Sequence, residues 1–248
     1  MIIIGERIST KFDDIKNAIL LRKPGIIQEW ARQQEASGVD YLNLHIYPTI
    51  DNHVSAMEWL VETVQEVVSL PLFIDSTCLK TIEAGLKVCN KPGVINHTTA
   101  EPTKMQLIFP MAIEYSAGIV GVTKSDLYLP LNADDRINYA HQLLDAAEKY
   151  GLPIEHLWLD PFVFPYNLAQ DQPKEVLKAL QQINRLNNPP PKTVLKLSNI
   201  SVNWPNKSLV DRVYLAMTIA SGLDAVIGDS NDKILIEVAS IAETLLNR

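Results

Sequence analysis

One pattern repeats from end to end of this chain and limits what it can fold into. Short apolar runs of strand character occupy residues 2–4, 41–46, 72–75, 94–96, 119–123, 157–160, 193–197 and 225–228. Between them lie longer stretches such as "IIQEWARQQEA", "SAMEWLVETVQEVV", "RINYAHQLLDAAEKY" and "EVLKALQQINRL", with apolar residues at three- and four-residue steps. Such steps put one apolar face on a helix. Gly38, Pro71, Gly93, Gly118, Gly151 and Gly222 stand ahead of strands, where the chain must turn. Strands alternating with helices predict a parallel sheet, because a parallel neighbour needs a long crossover. Eight such units in 248 residues predict a single α/β domain over 1–248, a (β/α)₈ TIM barrel, a fold that usually takes about 250 residues. An open doubly wound sheet would carry a glycine-rich phosphate loop after its first strand, and "IGERIST" is not one.

Composition narrows the function. The net charge of −7 speaks against a nucleic-acid groove or an anionic membrane as partner. The apolar start "MIII" is too short for a signal sequence, and no apolar run is long enough to span a bilayer. Cys78 and Cys89 fall in one expected helix, about 16 Å apart, beyond disulfide reach. A reduced, cytoplasmic protein is expected.

Several strands end on polar side chains. Side chains alternate along a strand, so in "LFID" Phe73 and Asp75 point inward, as do Trp158 and Asp160 in "LWLD". Asn96 ends its strand likewise, and Asn43 and His45 share a face of "YLNLHI". Barrel enzymes gather their active sites at the strands' C-terminal ends. Each of these residues, taken alone, is also a ready helix cap. Together they predict one polar mouth.

Placed end to end, "IIIGERI", "DST…IEAGLKVC", "INHT", "LWLDP" and "PPKTVLKLSNIS" resemble the pterin-binding methyltransferases. These move a methyl group between methyltetrahydrofolate and a corrinoid protein, as in the acetyl-CoA pathway, and dihydropteroate synthase is a more distant relative. The resemblance implies a dihydropteroate synthase-like barrel. It implies that Asp75, Asn96 and Asp160 grip the pterin's aminopyrimidinone edge, whose N–H donors suit carboxylate and amide acceptors. It places Leu197-Ser198-Asn199 beside the reactive ring, with Asn199 as the catalytic residue contacting N5 and Ser198 among the binding residues. Tetrahydrofolate is then the substrate. The cobalt belongs to a partner corrinoid protein, no tightly bound metal is implied, and a homodimer is expected.

Departures from the family pattern cluster at the mouth. Asn43, His45 and Tyr47 stand where Asp, Asn and Gly are usual, Lys196 replaces Gly, and Lys207 replaces an Arg suited to a folate carboxylate. Asn43, Lys196 and Lys207 complete the expected binding set. Lys196 points inward, either to donate to the pterin's carbonyl or N5, or to bridge to Asp160 or Asp75 in the pterin's place. Glu6 and Arg7 read as a salt bridge or rim contact. Three rival readings are set beside this one. A metal-dependent hydrolase would use His45, His97, Asp75 and Asp160, although His97 reads as a rim-loop histidine. A nucleophilic enzyme would use Cys78 at a helix start. A non-catalytic descendant would only bind a partner.

Overall fold

The computed structural model describes residues 1–48 and 50–247. The strands are β1 (Ile2–Gly5), β2 (Tyr41–His45), β3 (Leu72–Asp75), β4 (Val94–Thr99), β5 (Gly118–Val122), β6 (Leu157–Asp160), β7 (Lys192–Lys196) and β8 (Ala225–Gly228). All pair in parallel, in chain order, and β8 closes onto β1 to complete the expected barrel. Helices α1 (Asp13–Leu20) and α2 (Pro24–Ala36) both lie between β1 and β2. The strands β2 to β8 are followed in turn by α3 (His53–Gln65), α4 (Leu79–Lys87), α5 (Pro102–Glu114), α6 (Ala133–Tyr150), α7 (Gln172–Ile183), α8 (Lys207–Ala220) and α9 (Lys233–Leu245).

Local sequence sets the boundaries. Asn132 caps α6, its Oδ1 accepting from the Asp135 N–H at 2.8 Å. Gly222 ends α8 at φ +99°, where a β-carbon would collide with the Asn184 amide that donates to the Gly222 carbonyl at 2.9 Å. Several strand ends shift by a residue, and three boundaries move in ways that bear on the site. β4 runs past Asn96 to Thr99, its register against β5 shifting between Asn96 and Thr98. β7 stops at Lys196, and Leu197–Asn199 form a 3₁₀ turn. The α4 helix is shorter than expected, so Cys78 sits at its N-cap and Cys89 beyond its end; both are free thiols.

Strand alternation divides the core into two layers. Leu42, Leu44, Ile74, Ile95, Ile119, Leu157, Leu159, Leu195 and Val226 face outward and pack under the helices. Ile4, Phe73, Val94, Val120, Trp158, Val194, Ala225 and Ile227 fill the barrel interior. There the rings of Tyr41, Phe73 and Trp158 meet edge to face at 5.2–5.7 Å. Each such pair contributes about 0.5–1.5 kcal/mol beyond its buried area. This plug is the floor of the mouth. The inward residues one step further along the strands, Asn43, Asp75, Asn96, Asp160 and Lys196, stand above it.

Candidate active site at the barrel mouth

A cleft of about 240 Å³ opens above the plug, and Asp75, Asn96, Asp160, Lys196 and Asn199 all line it. A larger groove of about 370 Å³ lies between Tyr166, Trp204 and the α8 side chains Leu209, Val213 and Met217, but its walls are apolar. Only the first has convergent polar groups on an enclosed base, which is what a small-molecule site needs.

Asp75 is held in place by amides. Its Oδ2 accepts from Asn43 Nδ2 at 3.2 Å and from Asn96 Nδ2 at 3.3 Å, and Asn96 Nδ2 also donates to Asn43 Oδ1 at 2.9 Å. All three side chains are buried. The departure at position 43 now has a physical reading: an aspartate there would set a second carboxylate beside Asp75, whereas Asn43 serves as a donor. Asp75 Oδ1 faces His45 Nε2 at 3.9 Å, too far for a hydrogen bond. His45 is fixed from its other side by Ser9 Oγ, 3.1 Å from Nδ1, and by the Tyr47 ring at 4.2 Å. Burial pushes the His45 imidazole below its ordinary range, only partly offset by Asp75.

Asp160 lies on the other wall, 7% exposed. Its Oδ1 accepts from the Phe162 N–H at 2.7 Å. Burial pushes its carboxyl up to about 6, against the pull of that hydrogen bond and the charges of Lys196, Arg136 and Lys124. Neither acid caps a helix. The N-cap of α4 is Cys78, and α7 begins well beyond Asp160. The capping account of the strand-end acids therefore does not apply.

Lys196 forms no bridge to Asp160 or Asp75. Among the described residues, the carboxylate within ion-pair reach is that of Glu6, 3.8 Å from its Nζ. Glu6 leaves the end of β1, two strands round from β7, so the ammonium is drawn to the rim and the space between the aspartates stays open. Arg7 turns away, stacked 4.1 Å from both the Phe12 and Trp30 rings and bonded to Asp14 Oδ2 at 2.6 Å. Asn199 reaches the cleft from the 3₁₀ turn. Ser198, in the same turn, is not among the cleft-lining side chains, and Asn43 lies behind them. Lys207 is exposed at the start of α8, outside the cleft.

Lys124 and Arg136 join the site without having been singled out in the sequence, and His97 takes a place other than the one expected of it. Lys124, just after β5, lines the cleft with its Nζ 4.9 Å from the Phe162 ring. His97 belongs to β4, where the register shifts, and not to a rim loop; it too lines the cleft, with its side chain exposed to solvent. Arg136 is fully buried behind Asp160. It sits on the same α6 stripe as the buried Ala140, Leu143 and Ala147, and a charge on that stripe was the available signal. For the rivals, no group of three or more His, Cys, Asp or Glu among the described residues is placed to hold a metal ion. Cys78 is brought below its ordinary pKa: burial alone would raise it, and hydrogen bonds at Thr81 and Lys80 outweigh that effect. It is not among the cleft-lining residues.

The family model "Pterin binding enzyme" matches residues 23–228, most of the chain. The chain belongs to the pterin-binding enzyme family. Among relatives of this pterin-binding chain is the methylcorrinoid:tetrahydrofolate methyltransferase of Eubacterium limosum, 23% identical over 248 residues, 99% of this chain and 91% of that protein. A methionine synthase of Mycobacterium leprae is 23% identical over 240 residues, but these are 92% of this chain and only 20% of that enzyme. A Yersinia pestis DHPS, solved with a pterine-sulfa conjugate, superimposes with a TM-score of 0.72 at 12% identity, covering 99% of this chain and 93% of its own. The 7,8-dihydropteroate synthase of Vibrio fischeri superimposes at 0.71 and 12% identity, covering 100% and 93%. At such identities the superpositions speak to the fold alone. No helix among the described residues is long and apolar enough to cross a membrane.

Proposed function

We propose that this protein transfers a methyl group between N5 of methyltetrahydrofolate and the cobalt of a corrinoid carried by a separate protein. One observation carries the reading. Two buried carboxylates on opposite walls of one cleft, Asp75 and Asp160, each offer an oxygen that no donor among the described residues takes up, with a slot between them. Clustered N–H donors on a flat heterocycle are the ligand chemistry that such a pair accepts. Asn96 adds an amide oxygen beside Asp75, and Lys196 supplies a donor for the ring carbonyl or N5.

The chemical difficulty lies at N5. A partner Co(I) centre supplies the electron pair of the new cobalt–carbon bond. The N5–methyl pair returns to N5, which becomes a poor leaving group unless it gains a proton or a strong hydrogen bond as the bond breaks. Only contacts that strengthen in the transition state accelerate the step. Asn199 cannot release a proton itself; its role is to hold N5 and a water in line, with Lys196 as the neighbouring charged donor. The name of the Eubacterium limosum relative, whose length this chain nearly spans, supports this chemistry. Transfer of methyl from methyltetrahydrofolate to reduced cob(I)alamin, followed by the cobalt spectrum, tests the proposal. No transfer together with no tetrahydrofolate binding would favour a non-catalytic binding role.

The homodimer and the single-domain reading over 1–248 belong to the same proposal. Leu209, Val213 and Met217, at four-residue steps on α8, form an exposed apolar stripe, which supports pairing with a second copy.

A further inference from the structure

Arg136 is 0% exposed and has no ion pair with a carboxylate among the described residues. Buried guanidinium groups normally pair with an acid. This one spends its donors on backbone and amide oxygens around the turn that carries Asp160. Nε donates to the Pro161 carbonyl at 2.6 Å, and Nη2 donates to the Phe162 carbonyl at 3.0 Å and to Gln172 Oε1 at 2.8 Å. Nη1 donates to the Asn132 carbonyl at 2.9 Å, and the Gln172 amide donates to the Leu131 carbonyl at 2.7 Å. One side chain thus ties the start of α6, the residues after β6 and the start of α7 together.

The tied turn is unusual. Phe162 sits at φ +56°, a conformation uncommon for a non-glycine residue. In it the Phe162 N–H points back to Asp160 Oδ1, which leaves Oδ2 for the cleft. Charge adds a second effect. The groups acting on Asp160 are Lys196 from β7, Lys124 from beyond β5, Arg136 from α6 and the Tyr214 hydroxyl from α8. The two lysines line the open cleft, where water screens them. Arg136 lies in the dry layer behind, where a charge acts at higher strength. Burial lowers its own pKa to about 10, so it is still a cation at neutral pH.

We propose that Arg136 is a positioning residue for ligand binding: it locks the Pro161–Phe162 turn so that Asp160 presents one oxygen to the cleft, and its fixed charge keeps that side chain a carboxylate. The effect on Asp160 stands by itself; only the identity of the ligand rests on the pterin reading.

The test uses the intact protein labelled for carboxyl ¹³C NMR, with Asp160→Asn to assign the resonance. Wild type should titrate near the value of about 6 given by the structure. Arg136→Met should move the midpoint up by about one unit or more, and Arg136→Lys, which keeps the charge, by less than half of that. Tetrahydrofolate affinity near pH 7 should fall about tenfold in Arg136→Met: a one-unit rise in the midpoint accounts for about twofold, and the unlocked turn for the rest, about one hydrogen bond's worth. It should fall several-fold in Arg136→Lys, which lacks the planar fork. An unchanged midpoint and affinity in folded Arg136→Met would overturn the proposal. Should that variant fail to fold, Gln172→Ala removes one arm of the clamp and keeps the charge; lower affinity with an unmoved midpoint supports the positioning role, and unchanged affinity refutes it. Wild type that binds no tetrahydrofolate would sink the pterin reading, while the titration would still decide the role of Arg136.

Discussion

Substituting Asp160 by Asn should weaken ligand binding and stabilise the empty protein at the same time. Burial raises the Asp160 carboxyl from 3.8 to about 6. The folded state therefore holds this proton more tightly than the unfolded chain does. Its contribution to stability is lost as pH rises between those two values, and above about 6 the folded protein carries a buried charge at a cost of about 3 kcal/mol. Asparagine keeps an oxygen for the Phe162 N–H and removes that charge, so at pH 8 the empty variant should gain up to about 3 kcal/mol in urea unfolding. Binding runs the opposite way. A charged acceptor contributes about 1.5–3 kcal/mol, so Asp160→Asn should raise the Kd for tetrahydrofolate at pH 8 about 10- to 150-fold. Wild type should lose affinity as pH falls, because a protonated Asp160 no longer accepts. At pH 5 about one carboxyl in eleven stays ionised, which predicts binding about tenfold weaker than at pH 7.5, and the variant should lack this limb. Calorimetric titration from pH 5 to 8 on both proteins measures it. A flat wild-type profile, or an acid limb that survives in Asp160→Asn, would refute the reasoning.

Further outcomes follow from other parts of the structure. Lys196→Gly should weaken tetrahydrofolate binding about tenfold; a gain in affinity would mean that the ammonium blocks the slot. Asn199→Ala should lower kcat for methyl transfer to cob(I)alamin about 10- to 100-fold while Kd changes less than about threefold, since its contact matters most as the bond breaks. Phe73→Ala, at the centre of the ring plug, should cost about 3–5 kcal/mol in chemical unfolding. Val213→Asp on the exposed α8 stripe should shift the mass seen by light scattering to that of one chain, and an unchanged mass would remove α8 from the proposed interface.

The barrel was readable because its strands announce themselves twice, by apolar runs and by the turn residues ahead of them. Strand parity placed Asp75, Asn96, Asp160 and Lys196 at the mouth without any coordinates. Tertiary partners were harder to see. Lys196 was open to two readings, a donor to the pterin or a bridge to Asp160 or Asp75; neither named Glu6, which lies within its reach because β1 and β7 both flank β8, a neighbourhood created only when the sheet closes. Lys207 was a substrate contact only by resemblance, standing where the family has an Arg, yet it sits exposed at the start of α8. Arg136 was hidden inside an ordinary amphipathic repeat, since periodicity marks which face is buried and not what a buried charge will hold.

The ring plug carries a kinetic corollary. Tyr41, Phe73 and Trp158 stop up the axis of the cylinder from below, so whatever reaches Asp75 has to arrive and depart through the top. A macromolecule delivering cobalt would have to land on that same threshold. Under the proposed function the two visitors would share one doorway, so the small one would have to enter before the large one docks and leave after it departs.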